Sequence, residues 1–316
     1  MLSRYIFGPV PSRRLGHSLG INNIPPKVCT YSCVYCQLGR TKKKRTHRQK
    51  WYKPSEILKL VKEKVENVEK LGEPIDYLTF VPDGEPTLDM NLGLEIENLR
   101  SLGIKIAVIT NSSLLWQEDV REALRMADLV SIKIDTIRKE IWNRIDRPHK
   151  SLDLDIVLRG VREFAATYNG DLITETMLVR GLNDNNDDVE EVANFLAQIN
   201  PSKAYLSIPT RPPTEKWVQP PFEEVLNSAY QIFNDEIEST EYLIGYEGNA
   251  FVFTGNVEED ILSITSVHPM REDAVRAFLA KANAKWSVIN LLLEKKQLLE
   301  IEYKGKKFYL RKFALN

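Results

Sequence analysis

All three cysteines of the 316-residue chain fall within one eight-residue stretch, Cys29-Thr30-Tyr31-Ser32-Cys33-Val34-Tyr35-Cys36. Cysteines kept only for packing scatter, so a cluster this tight points to thiolates acting together. Three soft thiolates at x3 and x2 spacing can wrap one side of a compact iron–sulfur cluster. A cubane cluster has four irons, so three sulfurs leave one iron open to a ligand the protein does not supply. Two other uses compete. A zinc site needs a fourth ligand, which His17 or His47 could provide, but x3 followed by x2 is unusual for zinc ribbons and knuckles. A disulfide leaves an odd cysteine over and requires an oxidising compartment. The cluster, held by Cys29, Cys33 and Cys36, is the leading reading.

The elements around the cysteines must hold them over something. After the turn-rich opening Gly8-Pro9-Val10-Pro11-Ser12, a short apolar strand is expected at 18–22, ended by Pro25-Pro26. Ile57, Leu58, Val61, Val65 and Val68 then recur at helical spacing behind Ser55. Strands at 76–81, 105–109, 129–135, 172–179 and 204–208 alternate with helices at 88–102, 118–127, 154–168 and 187–199. This βα alternation predicts an α/β chain with a parallel sheet. About six units are too few for a closed eight-stranded barrel. Farther on, a helix is expected at 222–233, then a hairpin pairing 242–246 with 251–254 around Glu247-Gly248-Asn249. Past residue 265 the pattern changes to two short helices (271–281 and 284–295). A second hairpin, 298–303 with 308–313, turns at Lys304-Gly305-Lys306. The expected organisation is a core over 1–265 and a small winged-helix-like α+β module over 266–316, or else a cap on the bottom or side of the barrel.

The Cys-x3-Cys-x2-Cys spacing, with Tyr35 just before the last cysteine, resembles the radical S-adenosylmethionine (radical SAM) superfamily. The stretch from Gly8 through the cysteines to Thr41 resembles its branch that includes the wyosine-base tRNA synthases. The resemblance implies a partial (β/α)6 barrel and a [4Fe-4S] cluster whose open iron is chelated by S-adenosylmethionine. It further implies reductive cleavage of that cofactor to a 5′-deoxyadenosyl radical, which abstracts hydrogen from a substrate. Pro82-Asp83-Gly84-Glu85-Pro86 is similar to the family's Gly-Gly-Glu-Pro turn, so Gly84 and Glu85 are expected to hold the methionine amino group; Asp83 departs from the pattern. Asn111 and Ser112 resemble the ribose-binding positions, and Tyr35 belongs to the same cofactor set. Ser131, Lys133 and Asp135 share one face of their strand. Ser131 and Lys133 are therefore candidate cofactor contacts, Lys133 for the methionine carboxylate or for an internal pair with Asp135. Glu175 and Arg211 are further inward candidates. No flavin or nucleotide-binding motif is present, which implies an external electron donor, ferredoxin or flavodoxin. The cysteines are all used by one cluster, so the second-cluster chemistry of tricyclic wyosine synthases does not transfer.

Composition narrows the rest. With 43% apolar residues the chain can bury a sizeable core, and its formal charge of −1 gives no global pull toward polyanions. No secretory signal or bilayer-length apolar run is visible, and reduced thiolates fit a cytoplasmic protein. Two local basic features stand out. Eight Lys or Arg and no acid occur between Arg40 and Lys53, and the hairpin Lys304-Gly305-Lys306-Lys307 continues to Arg311 and Lys312. Plain solvated surface or a docking site for an acidic ferredoxin accounts for the first. With Tyr52 and Tyr309 as stacking faces, both also suit an RNA, tRNA foremost, ahead of a peptide or small molecule. A zinc-stabilised regulator gripping nucleic acid is the rival of another class.

Overall fold

The computed structural model describes residues 5–244 and 251–312. Eight strands form one sheet in sequence order: β1 (Ile6–Ser12), β2 (Gly16–Ile21), β3 (Tyr77–Phe80), β4 (Lys105–Thr110), β5 (Leu129–Lys133), β6 (Asp171–Met177), β7 (Lys203–Ser207) and β8 (Thr240–Leu243). β1 and β2 run antiparallel; every later neighbour is parallel. The crossovers carry α1 (Pro54–Lys70), α2 (Leu92–Leu99), α3 (Glu118–Leu124), α4 (Lys139–Ile145), α5 (Leu154–Ala165), α6 (Asn186–Ile199) and α7 (Glu223–Glu236). The result is a curled, open α/β half-barrel.

Local chemistry explains the punctuation. Pro54 opens α1, and Ile57, Val61, Val65 and Val68 form its buried stripe. The Asp153 carboxylate caps α5 by accepting from Asp155 N and Ile156 N, and Asn185 caps α6 through Asp188 N. Gly103, at φ 69, ends the short 3₁₀ turn after α2 in a left-handed conformation.

Three expectations change. The expected strand at 242–246 is β8, which starts at Thr240 and pairs in parallel with β7, so the sheet has a seventh parallel strand and not a hairpin there. A strand reached through a helix returns beside its predecessor in parallel, and α7 supplies that crossover. The turn Glu247-Gly248-Asn249 lies outside the described residues, and 251–254 is not a strand. The proline-rich opening is itself β1, an edge strand, where missing amide donors cost no ladder bond. The strand expected at 129–135 stops at Lys133, which leaves Asp135 in the loop at its C-terminal end.

The C-terminal part comprises α8 (Val257–Val267), β9 (Met270–Arg271), α9 (Glu272–Lys281), α10 (Ser287–Glu294), β10 (Leu298–Tyr303) and β11 (Lys306–Arg311). Its strands form a small antiparallel sheet in the order β10-β11-β9. The expected junction at 265/266 falls within α8. Ile261 and Ile264 of that helix share an apolar core with Phe7 and Val10 of β1 and with Met270, Phe278, Ile289 and Tyr309. The module is thus seated on the edge of the barrel sheet. Among the described residues no helix is long and apolar enough to cross a membrane.

Candidate active site

The loop between β2 and α1 carries the cysteines across the C-terminal ends of the parallel strands, where such sheets place their sites. Backbone bonds hold it there. Lys27 N donates to Asp83 O (2.7 Å) and Glu85 N to Val28 O (3.0 Å), which ties the loop to the turn after β3. Ser32 N to Asp146 O and Val34 N to Ile145 O, both 2.9 Å, tie it to the end of α4. The first contact explains Gly84: a Cβ there would lie 1.9 Å from the Val28 carbonyl oxygen. Only glycine lets the two segments lie this close.

Cys29, Cys33 and Cys36 line one cavity of about 540 Å³, together with Tyr35, Gly84, Glu85, Asn111, Lys133, Glu175 and Arg211. Burial, and next the Glu85 carboxylate, push the Cys29 thiol up to about 12. Burial and then Asp146 raise Cys33 likewise. A cationic cluster that binds these sulfurs as thiolates reverses that balance. Among the described residues no group of three or more His, Cys, Asp or Glu is arranged about a single metal ion. Neither histidine offered for zinc lines the cavity. His17 sits at the opposite, N-terminal end of β2, with Nδ1 3.1 Å from Asp76. Three thiols lining one cavity supply the donor set that an iron–sulfur cluster would take. Lys27 adds a positive charge to the same wall, its Nζ 3.7 Å from Cys36 Sγ.

Glu85 is buried at the cavity edge. Its Oε1 accepts from Thr87 N (3.1 Å), Thr87 Oγ1 (2.6 Å) and Thr110 Oγ1 (2.6 Å); its Oε2 accepts from Asn111 N (2.7 Å). Oε1 thus takes three donors and Oε2 one, so a further donor finds room at Oε2 and not at Oε1. Burial raises the Glu85 pKa, and the hydrogen bonds oppose it. Asn111 Nδ2 donates to Thr30 Oγ1 (2.8 Å) and approaches Cys29 Sγ (3.6 Å), so it braces the cysteine loop from the end of β4.

Lys133 meets an internal partner other than the one expected. Its Nζ donates to Glu175 Oε1 at 2.9 Å, and Ser207 Oγ donates to the same oxygen at 2.9 Å. Arg14 donates to Glu175 Oε2 at 2.5 Å. Burial works against both charges. The Lys133 and Arg14 cations nevertheless hold the Glu175 carboxyl well below its usual range, and Glu175 holds Lys133 above its own. Asp135 pairs instead with the Tyr35 hydroxyl, which also lies 3.2 Å from Asp146 Oδ1. Cys33 Sγ is 3.2 Å from that same oxygen.

Two expected cofactor contacts stand behind the wall. Ser112, fully buried at φ 67, bonds through Oγ to Lys133 N (3.1 Å), fastening β4 to β5. Ser131 is buried, and its Oγ receives only Arg14 at 3.4 Å. Ser131 is not among the residues that line the cavity. In the basic run, Arg40 binds Glu215 through two nitrogens (2.8 and 2.9 Å), and Lys44 donates to the Arg147 and Pro148 carbonyls. Arg48 donates to the Thr87 and Asp89 carbonyls. These three cations hold the loop; Lys42, Lys43, Arg45, Lys50 and Lys53 are exposed.

Sequence reasoning missed the cavity roles of Arg14 and Ser207 and assigned none to Asp83. Asp83 is buried, its Oδ1 has no hydrogen-bond partner among the described residues, and burial lifts it to about 8. Its visible signal was the departure from glycine in the turn. The site also includes Tyr303, Lys304, Lys306 and Phe308 of the C-terminal hairpin. No local pattern placed that hairpin over the strand ends.

Residues 23–196 match the family model described as the radical SAM superfamily. The UPF0026 protein MJ1312 of Methanocaldococcus jannaschii is 50% identical over 307 residues, covering 96% of this chain and 95% of that protein. The dual-specificity RNA methyltransferase RlmN of Campylobacter concisus is 25% identical over 126 residues, which is 40% of this chain and 32% of that protein. The structure of TYW1 with a lysine-pyruvate adduct bound superposes with a TM-score of 0.53 at 16% identity, over 70% of this chain and 74% of that one. At that identity the likeness speaks for the fold alone.

Proposed function

This chain belongs to the radical SAM superfamily, and on that premise we propose that it is an enzyme that binds a [4Fe-4S] cluster through Cys29, Cys33 and Cys36 and S-adenosylmethionine beside it. The observation that carries this reading is the convergence of the three cysteines, Glu85, Asn111 and Lys133 on one cavity at the C-terminal ends of parallel strands. When bound, cluster and cofactor supply an electron and a sulfonium whose reductive cleavage yields a 5′-deoxyadenosyl radical able to take hydrogen from a substrate. The residues of the chain orient and enclose. Glu85 Oε2 receives the methionine ammonium in its remaining acceptor position. Asn111 offers its amide both to the cofactor and to the cysteine loop. The paired Lys133–Glu175–Arg14 group keeps the floor rigid and charged without a loose ion.

The substrate we favour is RNA, with tRNA first. Exposed Lys42, Lys43, Arg45, Lys50 and Lys53 flank the cysteine loop, and the similarity to an RNA methyltransferase points the same way. Ferredoxin or flavodoxin is the proposed electron donor. Anaerobic reconstitution tests the reading: about four irons and four sulfides per chain are expected, with 5′-deoxyadenosine released from S-adenosylmethionine on adding dithionite. Cys33→Ala should abolish both. Full cleavage by that variant, or one zinc and no iron in protein purified without oxygen, would overturn the assignment.

A further inference from the structure

The wall facing the cysteines comes from the other end of the chain. β10 and β11 pair so that Tyr303 opposes Lys306, leaving Lys304-Gly305 as a two-residue turn with φ 50 and 66. Both angles suit the tight turn that joins twisted strands. The Tyr303 hydroxyl donates to Pro209 O at 3.0 Å, just past the end of β7, which pins the tip of the hairpin at the barrel mouth. Tyr303, Lys304, Lys306 and Phe308 thereby line the same cavity as the three cysteines.

Two of the charges on this wall have no acidic partner among the described residues. Lys307 is paired with Glu300 at 2.9 Å, whereas no carboxylate lies at salt-bridge distance from Lys304 or Lys306 among the described residues. Arg211, on the same side, is already engaged with Gln37 and His268. Lys304 instead faces another cation: burial, and next Arg180, lower its pKa. Arg180 donates to Pro220 O (2.8 Å), and its guanidinium lies 3.8 Å over the ring of Phe222, a side chain 58% exposed. Cations from two distant parts of the chain are thus held close together without an acid, and an incoming anion relieves their repulsion. Each of the two lies beside an aromatic ring: Arg180 over Phe222, and Lys304 Nζ 5.6 Å from the ring centroid of Tyr303. Cations grouped with aromatic rings suit a ligand that carries phosphates and bases together.

We propose that Lys304, Lys306 and Arg180 form the substrate-binding track of this enzyme, gripping backbone phosphates of an RNA so that one nucleotide enters the cavity toward the cysteine wall. The inference rests on reading the cavity as the reaction chamber.

Bulk tRNA is the probe, measured by filter binding to the full-length, anaerobically reconstituted protein over a series of salt concentrations. Lys304→Ala/Lys306→Ala should weaken binding on the order of tenfold and flatten the slope of log affinity against log salt by about 1.5, the loss of two phosphate contacts. Lys304→Arg/Lys306→Arg should restore both, which separates a charge effect from a folding defect. The control Lys62→Ala/Lys70→Ala, on the exposed face of α1, should bind as the parent does. Unchanged affinity and slope in the double alanine variant would overturn the proposal. So would adenosine monophosphate binding as tightly as tRNA, which would make the ligand a free nucleotide. Lys304- and Lys306-dependent binding of a polyglutamate peptide with tRNA ignored would overturn it too. Failure of the reconstituted parent to release 5′-deoxyadenosine sinks the enzyme reading itself, whereas release without lysine-dependent tRNA binding sinks only this inference.

Discussion

The two walls of the cavity are built on opposite principles. On the cysteine side almost every charge has an internal partner: Lys133 and Arg14 with Glu175, Tyr35 with Asp135, Glu85 with four donors. The loop that bears the thiols is stitched by backbone bonds to the turn after β3 and the end of α4. On the hairpin side Lys304, Lys306 and Arg180 have no acidic partner among the described residues, and the Tyr303 hydroxyl bonds the tip to Pro209. A saturated polar network gives rigidity and one geometry. Unpaired cations give a surface whose best state is occupied. On the proposed reading, the contrast is between a cofactor wall and a wall for an anionic substrate.

Breaking the saturated wall should cost the most. Glu175→Gln leaves the Lys133 and Arg14 charges buried without their anion, and removing one member of such a group costs about 3–5 kcal/mol. All three side chains are at most 20% exposed, so solvent screening moderates this little. Urea unfolding near neutral pH checks it. The parent should also show the linkage. Glu175 is held below its unfolded pKa, so its contribution is complete above about pH 4.3. It drains away as pH falls toward the depressed folded value. Glu175→Gln should therefore flatten the acid limb of the stability profile. A variant as stable and as acid-sensitive as the parent would mean that the network is ornamental.

Gly84→Ala ranks next. Its Cβ meets the Val28 carbonyl, and forcing the cysteine loop away should cost about 1–3 kcal/mol, with iron content after reconstitution falling alongside the melting temperature. Retained iron at parental stability would show that the loop does not depend on that contact.

Asp83 offers a change of the opposite sign. Its folded pKa is raised to about 8, above an unfolded value near 3.9. Folding therefore carries a penalty that is absent at low pH, grows through neutrality and levels off above about pH 8. Asp83→Asn should stabilise the protein, more at pH 8 than at pH 5, in paired thermal melts. An equal effect at both would dismiss the buried acid. The smallest change should come from the other wall: Lys304→Ala/Lys306→Ala should shift stability by less than about 0.5 kcal/mol, since neither lysine has an acidic partner among the described residues and Lys304 loses only a ring contact with Tyr303. A large loss there would erase the distinction between the walls.

Much of this was legible before any coordinates. Cys29, Cys33 and Cys36 declared themselves by spacing, and the βα alternation declared a parallel sheet, because period and turn chemistry are local properties. Glu85, Asn111 and Lys133 could be located because strand ends in a parallel sheet converge, so a polar residue just after an apolar run is bound for the site. Ser112 and Ser131 show the limit of that rule: a strand end can be named from the sequence, but whether a short side chain reaches the cavity depends on the curl of the sheet. The same holds for Lys133, whose partner Glu175 is 42 residues away. In the basic run, Arg40, Lys44 and Arg48 resemble their exposed neighbours in sequence and differ only in what the folded loop brings against them.

The sequence alone determined the thiol set, the α/β repeat and the existence of a basic C-terminal hairpin, since each is written in residues close together along the chain. Tertiary structure decided which charges were spent on one another, and it carried Tyr303, Lys304, Lys306 and Phe308 to the mouth of the barrel. That placement follows from the packing of α8 and the hairpin core against Phe7 and Val10 of β1. Contacts between residues roughly 250–300 positions apart are set by the shape of two apolar surfaces, which no local pattern specifies.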